Sequence, residues 1–269
     1  MFNRMLAIVA LVGIHAVCVG QGFDQSHAAW DALLARHVKV TSNGNASQVD
    51  YKGFMQDRAA LQAYLKSVSA VTQQDYDSWS KPQKFAFLAN AYNAFTIEKI
   101  LTRYPNLKSI RDFGNFIGNP WKDKFFTLLG RPQNLDGIEH ETLRAPGAFD
   151  DPRVHVAVNC ASIGCPMLGT HAFTAETLDA QLDELLRHFM SDRSRNRYNP
   201  QTRSVELSKV FDWYGKDFTQ GHHGFSSVAD VAAKYADQLA DASDDRALLR
   251  AKKAAITFLD YDWSLNDVE

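Results

Sequence analysis

Two cysteines and a scatter of histidines hold the reactive groups of this sequence. Cys160 and Cys165 stand in Asn159-Cys160-Ala161-Ser162-Ile163-Gly164-Cys165-Pro166, directly after the apolar run 154–158. A thiol becomes a nucleophile when a neighbouring base or cation favours the thiolate, and that base is usually histidine. His140, from a separate segment, is the preferred partner; His155, His171 and the His222-His223 pair follow. His155 lies five residues before Cys160 on what reads as one strand, and an odd spacing puts the two on opposite faces. Glu139 or Glu141 can orient His140 only indirectly, because adjacent helical residues do not face each other. Cys160 as nucleophile, His140 as base and Asn90 holding the oxyanion would make a Cys-dependent hydrolase or acyl transferase acting on an amide or thioester.

Each of these residues also has a plainer role. Cys160 and Cys165 can close a small loop as a disulfide, or remain inert thiols; a redox-active pair usually has two intervening residues, not four. Asp136 and Glu139 have the spacing of a capping box at the start of a helix over 136–144. His140 and Arg144 lie one helical turn apart and share a face, suited to an anionic or carboxylate group, unless Arg144 pairs with Asp150 or Asp151. Asn90 and Asn93 lie three apart on an enclosed helix, where buried amides need partners; they bond loop backbone, or Asn90 faces a pocket. Trp121, Trp213, Tyr214 and Trp263 belong to a carbohydrate or peptide groove, or to the core and its rim. These roles describe a non-catalytic exported ligand-binding domain, stapled by Cys160-Cys165, with Arg144, Glu139, Asn93 and His155 at its pocket.

Other chemistries find less support. His155-x4-Cys160-x4-Cys165 is not a zinc spacing, so no metal is expected. Phosphate-loop, dinucleotide, Gly-x-Ser-x-Gly and His-Glu-x-x-His motifs are all missing from the sequence, so no cofactor is expected either. With 29 basic against 31 acidic residues the formal charge is −2, which argues against a nucleic-acid partner. The expected ligand is a small molecule or peptide.

The compartment sets the meaning of the cysteines. Arg4 precedes an apolar run from Leu6 to Val19, followed by Gly20 and Gly22, the pattern of a signal peptide over 1–20. The run is short against the roughly 20 residues of a membrane span, and no later window approaches that length. Removal of Cys18 with the signal leaves only Cys160 and Cys165 in a periplasmic or secreted protein, where disulfides persist.

Helical spacing marks residues 24–38 (Ser26 as cap), 54–68 and 80–104, the last opened by a Ser80/Gln83 capping box with Pro82 in its first turn. Apolar residues surround that third helix almost completely, so it is central and buried. A hairpin is expected around Gly130-Arg131, a buried strand at 154–158, a short strand at 204–207 and another strand at 256–261. Further helices are expected at 174–190, 227–239 and 245–255. The pattern is a helix-rich α+β single domain over 21–269 with a small, largely antiparallel sheet.

Five segments occur together in one order: Phe87-Leu88-Ala89-Asn90-Ala91-Tyr92-Asn93-Ala94, Pro120-Trp121-Lys122-Asp123-Lys124-Phe125-Phe126, Ile138-Glu139-His140-Glu141-Thr142-Leu143-Arg144, the stretch from Asp151-Pro152 to Cys165-Pro166, and Leu207-Ser208-Lys209-Val210-Phe211-Asp212-Trp213-Tyr214. The set resembles the bacterial exported branch of the domain-of-unknown-function 547 family. The resemblance implies a domain identity and export rather than a reaction, with a distant papain- or transglutaminase-like arrangement. Leu88 stands where that family more often has an aromatic, and Met167-Leu168-Gly169 lacks an arginine often found after the Cys-Pro.

Overall fold

A computed structural model describes residues 22–41, 43–114 and 118–268. The signal peptide expected at 1–20, with Cys18, lies outside the described residues.

Helix α1 (Ala28–His37) buries Trp30, Leu33, Leu34 and His37. Asp24 caps it instead of the expected Ser26, accepting from the backbone N–H of Ala28 at 3.0 Å. His27 stands at the helix entry with φ 51°. Its Nδ1 meets the Tyr64 hydroxyl at 2.7 Å, while Nε2 is buried without a partner.

Burial pushes the His27 imidazole down to about 4, against the opposing pull of Asp24. The unfolded imidazole takes its proton near 6.5, so between these values the unfolded chain holds more protons and stability falls as pH falls. Acidification from pH 6.5 to 5 should cost about 2 kcal/mol from this residue. His155, lowered by burial as well, acts in the same direction. Asparagine tolerates the left-handed backbone, so His27→Asn should flatten this part of a urea-unfolding profile measured against pH. An unchanged slope would remove His27 as its source.

Strands β1 (Val38–Val40) and β2 (Ser47–Val49) pair antiparallel. The second expected helix is divided at Asp57 into α2 (Tyr51–Gln56) and α3 (Arg58–Ala70). The inner stripe of α3 is Leu61, Tyr64, Leu65 and Val68. A short α4 (Gln73–Ser78) leads to α5 (Lys81–Leu101). There the Ser80/Gln83 capping box forms and every residue from Phe85 to Ile97 is buried. Burying each large apolar side chain of α5 contributes roughly 1.5–3 kcal/mol before the entropy of ordering is subtracted.

Strands β3 (Phe126–Leu128) and β4 (Arg131–Gln133) form the hairpin around Gly130. Next comes α6 (Leu135–Ile138), capped by Asn134, whose side chain accepts from the Gly137 N–H at 2.6 Å. It widens into a π-helical turn at Glu139–Leu143. Asp136 is therefore inside the helix, and the Asp136/Glu139 capping box is not what occupies Glu139.

Residues 154–158 correct a second expectation. They form one helical turn, α7 (Val154–Ala157), not a strand. Val154, His155, Val156 and Ala157 are all buried, and α7 packs on α8 (Leu178–Ser191). Its N–H groups turn back to Asp151, Pro152 and Arg153 instead of reaching a neighbouring strand. A short apolar run enclosed on all sides has the same composition in either state.

Strands β5 (Arg197–Asn199) and β6 (Ser204–Leu207) are antiparallel, and β7 (Ala255–Phe258) joins β6 in parallel. Between β6 and β7 lie α9 (Lys209–Trp213), a 3-10 turn at Gly215–Thr219, α10 (Val228–Lys234), α11 (Ala236–Leu239) and α12 (Ser243–Arg250). The architecture is α+β and helix-rich; three of the four strand pairs among the described residues are antiparallel. No helix among the described residues is long and apolar enough to cross a membrane.

After β7 the chain runs back as an extended tail over 259–268. It is pinned where Ile163 N–H meets Ser264 O at 2.8 Å, Gly164 N–H meets Asp262 O at 2.8 Å and Leu265 N–H meets Lys108 O at 2.7 Å. This tail closes one side of the site described next.

Candidate functional site

The loop after α7 carries Cys160. Its path is set from α5: the Asn93 amide donates to Ala157 O at 2.8 Å and accepts from Asn159 N–H at 2.8 Å. Asn159 spans the same loop, donating to Pro166 O at 2.9 Å and accepting from Ala161 N–H at 2.9 Å. Cys160 and Cys165 sit with their sulfurs at disulfide distance and their Cα atoms 6.4 Å apart. The Tyr261 hydroxyl lies 3.1 Å from each sulfur, and burial raises that phenol's pKa well above its ordinary value.

The sulfurs face a cavity of about 280 Å³. One wall is aromatic, made by Trp121, Trp213, Tyr214, Tyr261 and Trp263. Trp213 stacks on Trp263 with centroids 5.7 Å apart, and Tyr261 packs between them at 5.0 and 4.5 Å. The groove reading of these residues is the one their positions favour, and Trp213 is 45% exposed at its mouth.

The opposite wall is polar and comes from α6, the π-helical turn and α7. It holds Asp136, Glu139, His140 and His155. The Glu139 side chain is only 9% exposed. The wholly buried Tyr92 phenol is held far above its ordinary pKa, by burial first and then by the charge of Glu139. His140 Nε2 lies 3.6 Å from Asp136 and 3.9 Å from Glu139. Its Nδ1 faces the Arg144 guanidinium.

His155 occupies a different place from the one its spacing suggested. Because α7 is a helical turn, His155 and Cys160 line the same cavity instead of opposite faces of a strand. His155 Nε2 bonds Asp217 Oδ2 at 2.7 Å, and its ring stacks on Tyr214 at 4.2 Å. Arg144 Nε donates to the same Asp217 oxygen at 2.6 Å. Burial alone would raise the Asp217 carboxyl, but His155 and Arg144 together hold it far below the usual carboxylate range. Burial lowers the His155 imidazole more than Asp217 raises it, and the bond to Asp217 orients the ring.

Arg144 thus pairs with Asp217, not Asp150 or Asp151. Asp151 is taken by the buried Arg153, which also reaches Asp179 and Asp183. Asn90 is removed from the chemistry altogether. Both ends of its amide are engaged by Phe173 backbone, at 2.8 Å to the carbonyl and 3.0 Å from the N–H, and it does not line the cavity. His171 and His188 belong to a separate groove beside Glu184. His222 and His223 face Asp150 and Asp151 at 4.0 and 3.1 Å. Among the described residues no group of three or more His, Cys, Asp or Glu is placed to hold a metal.

Two site residues carried too little signal in the sequence. Asp217 had only its nearness to Trp213-Tyr214 to mark it, and Tyr261 looked like the end of a strand. Both lie far along the chain from the residues they serve.

No curated protein and no solved structure matches the chain. One family model does, and it covers α5, the π-helical turn, α7, both cysteines and α8, while the aromatic wall at Trp213, Tyr214, Tyr261 and Trp263 and the carboxylate of Asp217 lie beyond it. That family is described as a protein of unknown function, DUF547, and its model matches residues 76–190 of this chain.

Proposed function

We propose that the protein is an exported, non-catalytic binding domain whose aromatic cleft holds a small ligand, with Cys160–Cys165 as a structural staple. The observation that carries this reading is the cysteine pair at disulfide distance in the cleft wall, which ties up both of the thiols that line it. A disulfide agrees with a periplasmic or secreted location and with the leader-like pattern at 1–20, as in the exported bacterial branch of the family. A cavity of about 280 Å³ suits a small molecule or a single side chain better than a long peptide.

A second reading has its own support. Cys160 shares the cavity with a histidine oriented by a carboxylate, His155 on Asp217. With the pair reduced, Cys160 would add to an amide or thioester carbonyl and give its proton to the imidazole. The imidazole would then return that proton to the departing amine or thiol, and water would release the acyl group. His155 replaces His140 as the base in this version, because His140 Nδ1 faces Arg144 and its Nε2 faces carboxylates. It needs another group than Asn90 to stabilise the oxyanion.

Alkylation of the native protein separates the two. Intact mass after iodoacetamide at neutral pH should show no adduct on Cys160 or Cys165, and two after reduction in denaturant. The Cys160→Ser/Cys165→Ser double variant should fold less stably, by about 2–4 kcal/mol, yet keep its cleft. Selective alkylation of Cys160 in the untreated native protein would overturn the staple and favour the thiol enzyme.

A further inference from the structure

From the charge and the ring geometry of the cleft we infer that its ligand is a cation, an organic ammonium held between the aromatic wall and the carboxylates of Asp136 and Glu139. This inference rests on the binding reading and names the ligand class for it.

The polar wall of the cavity carries two carboxylates, while among the described residues no lysine or arginine lines it. Arg144, beside His140, is paired with Asp217. Glu139 is almost fully enclosed, and a carboxylate kept in such a place is stabilised by a positive partner. His140 Nε2, at 3.6 and 3.9 Å from the two carboxylates, is too far for a good hydrogen bond to either. An anionic ligand would be repelled by this wall.

The aromatic wall makes the same selection by another route. Ring faces attract cations through their quadrupole, tryptophan most strongly. Two rings of this wall already hold guanidinium groups: Arg111 lies 5.0 Å over Trp263 and Arg144 lies 4.6 Å over Tyr214. Trp213, exposed at the mouth, has a ring free to take part. Neutral sugars also stack on tryptophan and donate hydroxyls to carboxylates, but they do not supply the positive partner that an enclosed pair of carboxylates calls for.

Titration of the full chain with choline, followed by calorimetry and tryptophan fluorescence, tests this against its neutral isostere 3,3-dimethyl-1-butanol and against N-acetylglucosamine. Choline should bind at least about tenfold more tightly than either neutral probe. Trp213→Ala, at an exposed position, should weaken choline about tenfold and leave the thermal transition in place. Glu139→Gln should narrow the gap between choline and the isostere; if that variant does not fold, Asp136→Asn serves the same purpose. Equal binding of choline and the isostere, or binding of the sugar alone, would overturn the cation while leaving a binding cleft intact. No response to any probe would overturn the cation too, and the alkylation result would then decide the binding reading separately.

Discussion

Asn93→Ala is expected to lower stability by about 3–5 kcal/mol and to loosen the cysteine loop at the same time. The side-chain amide is buried and satisfies two main-chain groups of that loop, Ala157 O and Asn159 N–H. Removing it leaves a buried acceptor and a buried donor unpaired, at about 1–3 kcal/mol each, with a small void added. Asn90→Ala should cost a similar amount, because Asn90 does the same for Phe173. The two differ in their consequence for the cleft. Phe173 does not line the cavity, whereas Asn159 directly precedes Cys160, so only Asn93→Ala should also weaken ligand binding and expose the sulfurs to reductant. Asn93→Asp should do no better than alanine, since it turns a carboxylate onto the Ala157 carbonyl. Urea unfolding and the rate of reduction by dithiothreitol measure the two effects. A loss under about 1 kcal/mol would show that water takes the place of the amide and that Asn93 does not organise the loop.

This pair of asparagines also marks how far the sequence could be read. Their burial followed from the all-round apolar character of α5, whose start was written in Ser80, Pro82 and Gln83. Such local signals are short-range and survive in any context. Residues 154–158 failed for the opposite reason: alternating valines suit a strand, but α5 and α8 enclose the segment and offer it no sheet edge. That single change moved His155 to the side of Cys160 and made it the better-placed histidine. Spacing pointed Arg144 to Asp150 or Asp151, a few residues on, whereas Arg153 claims Asp151 and Arg144 pairs with Asp217, more than seventy residues on. Charge pairing across such distances depends on which partner is desolvated in the fold, and spacing does not reveal that. The aromatic wall was legible as four candidate residues, though not as one surface, because its members come together only when the tail folds back.

That tail should be displaced by a single methyl group. Gly164 lies so close beneath it that a Cβ would come within 2.9 Å of Asp262 O and 2.9 Å of the Tyr261 ring. Backbone cannot give way there cheaply, so Gly164→Ala should break the Gly164 N–H bond to Asp262 O and push Tyr261 and Trp263 out of the cleft. Overpacking of this kind costs about 1–3 kcal/mol in stability. The larger effect should fall on binding, at least about thirty-fold for choline, or roughly 2 kcal/mol, since both displaced rings belong to the wall. Asn266→Ala reaches the same state from the far end of the tail. Its side chain accepts from the buried Tyr51 hydroxyl at 2.8 Å and donates to Asn159 at 3.3 Å, with no atom in the cleft. Loss of this latch should therefore weaken binding without touching any lining residue, with a red shift of tryptophan emission as rings enter water. If both variants lose stability but bind choline normally, the tail supports the fold alone, and the residues of the family-matched stretch hold the ligand without it.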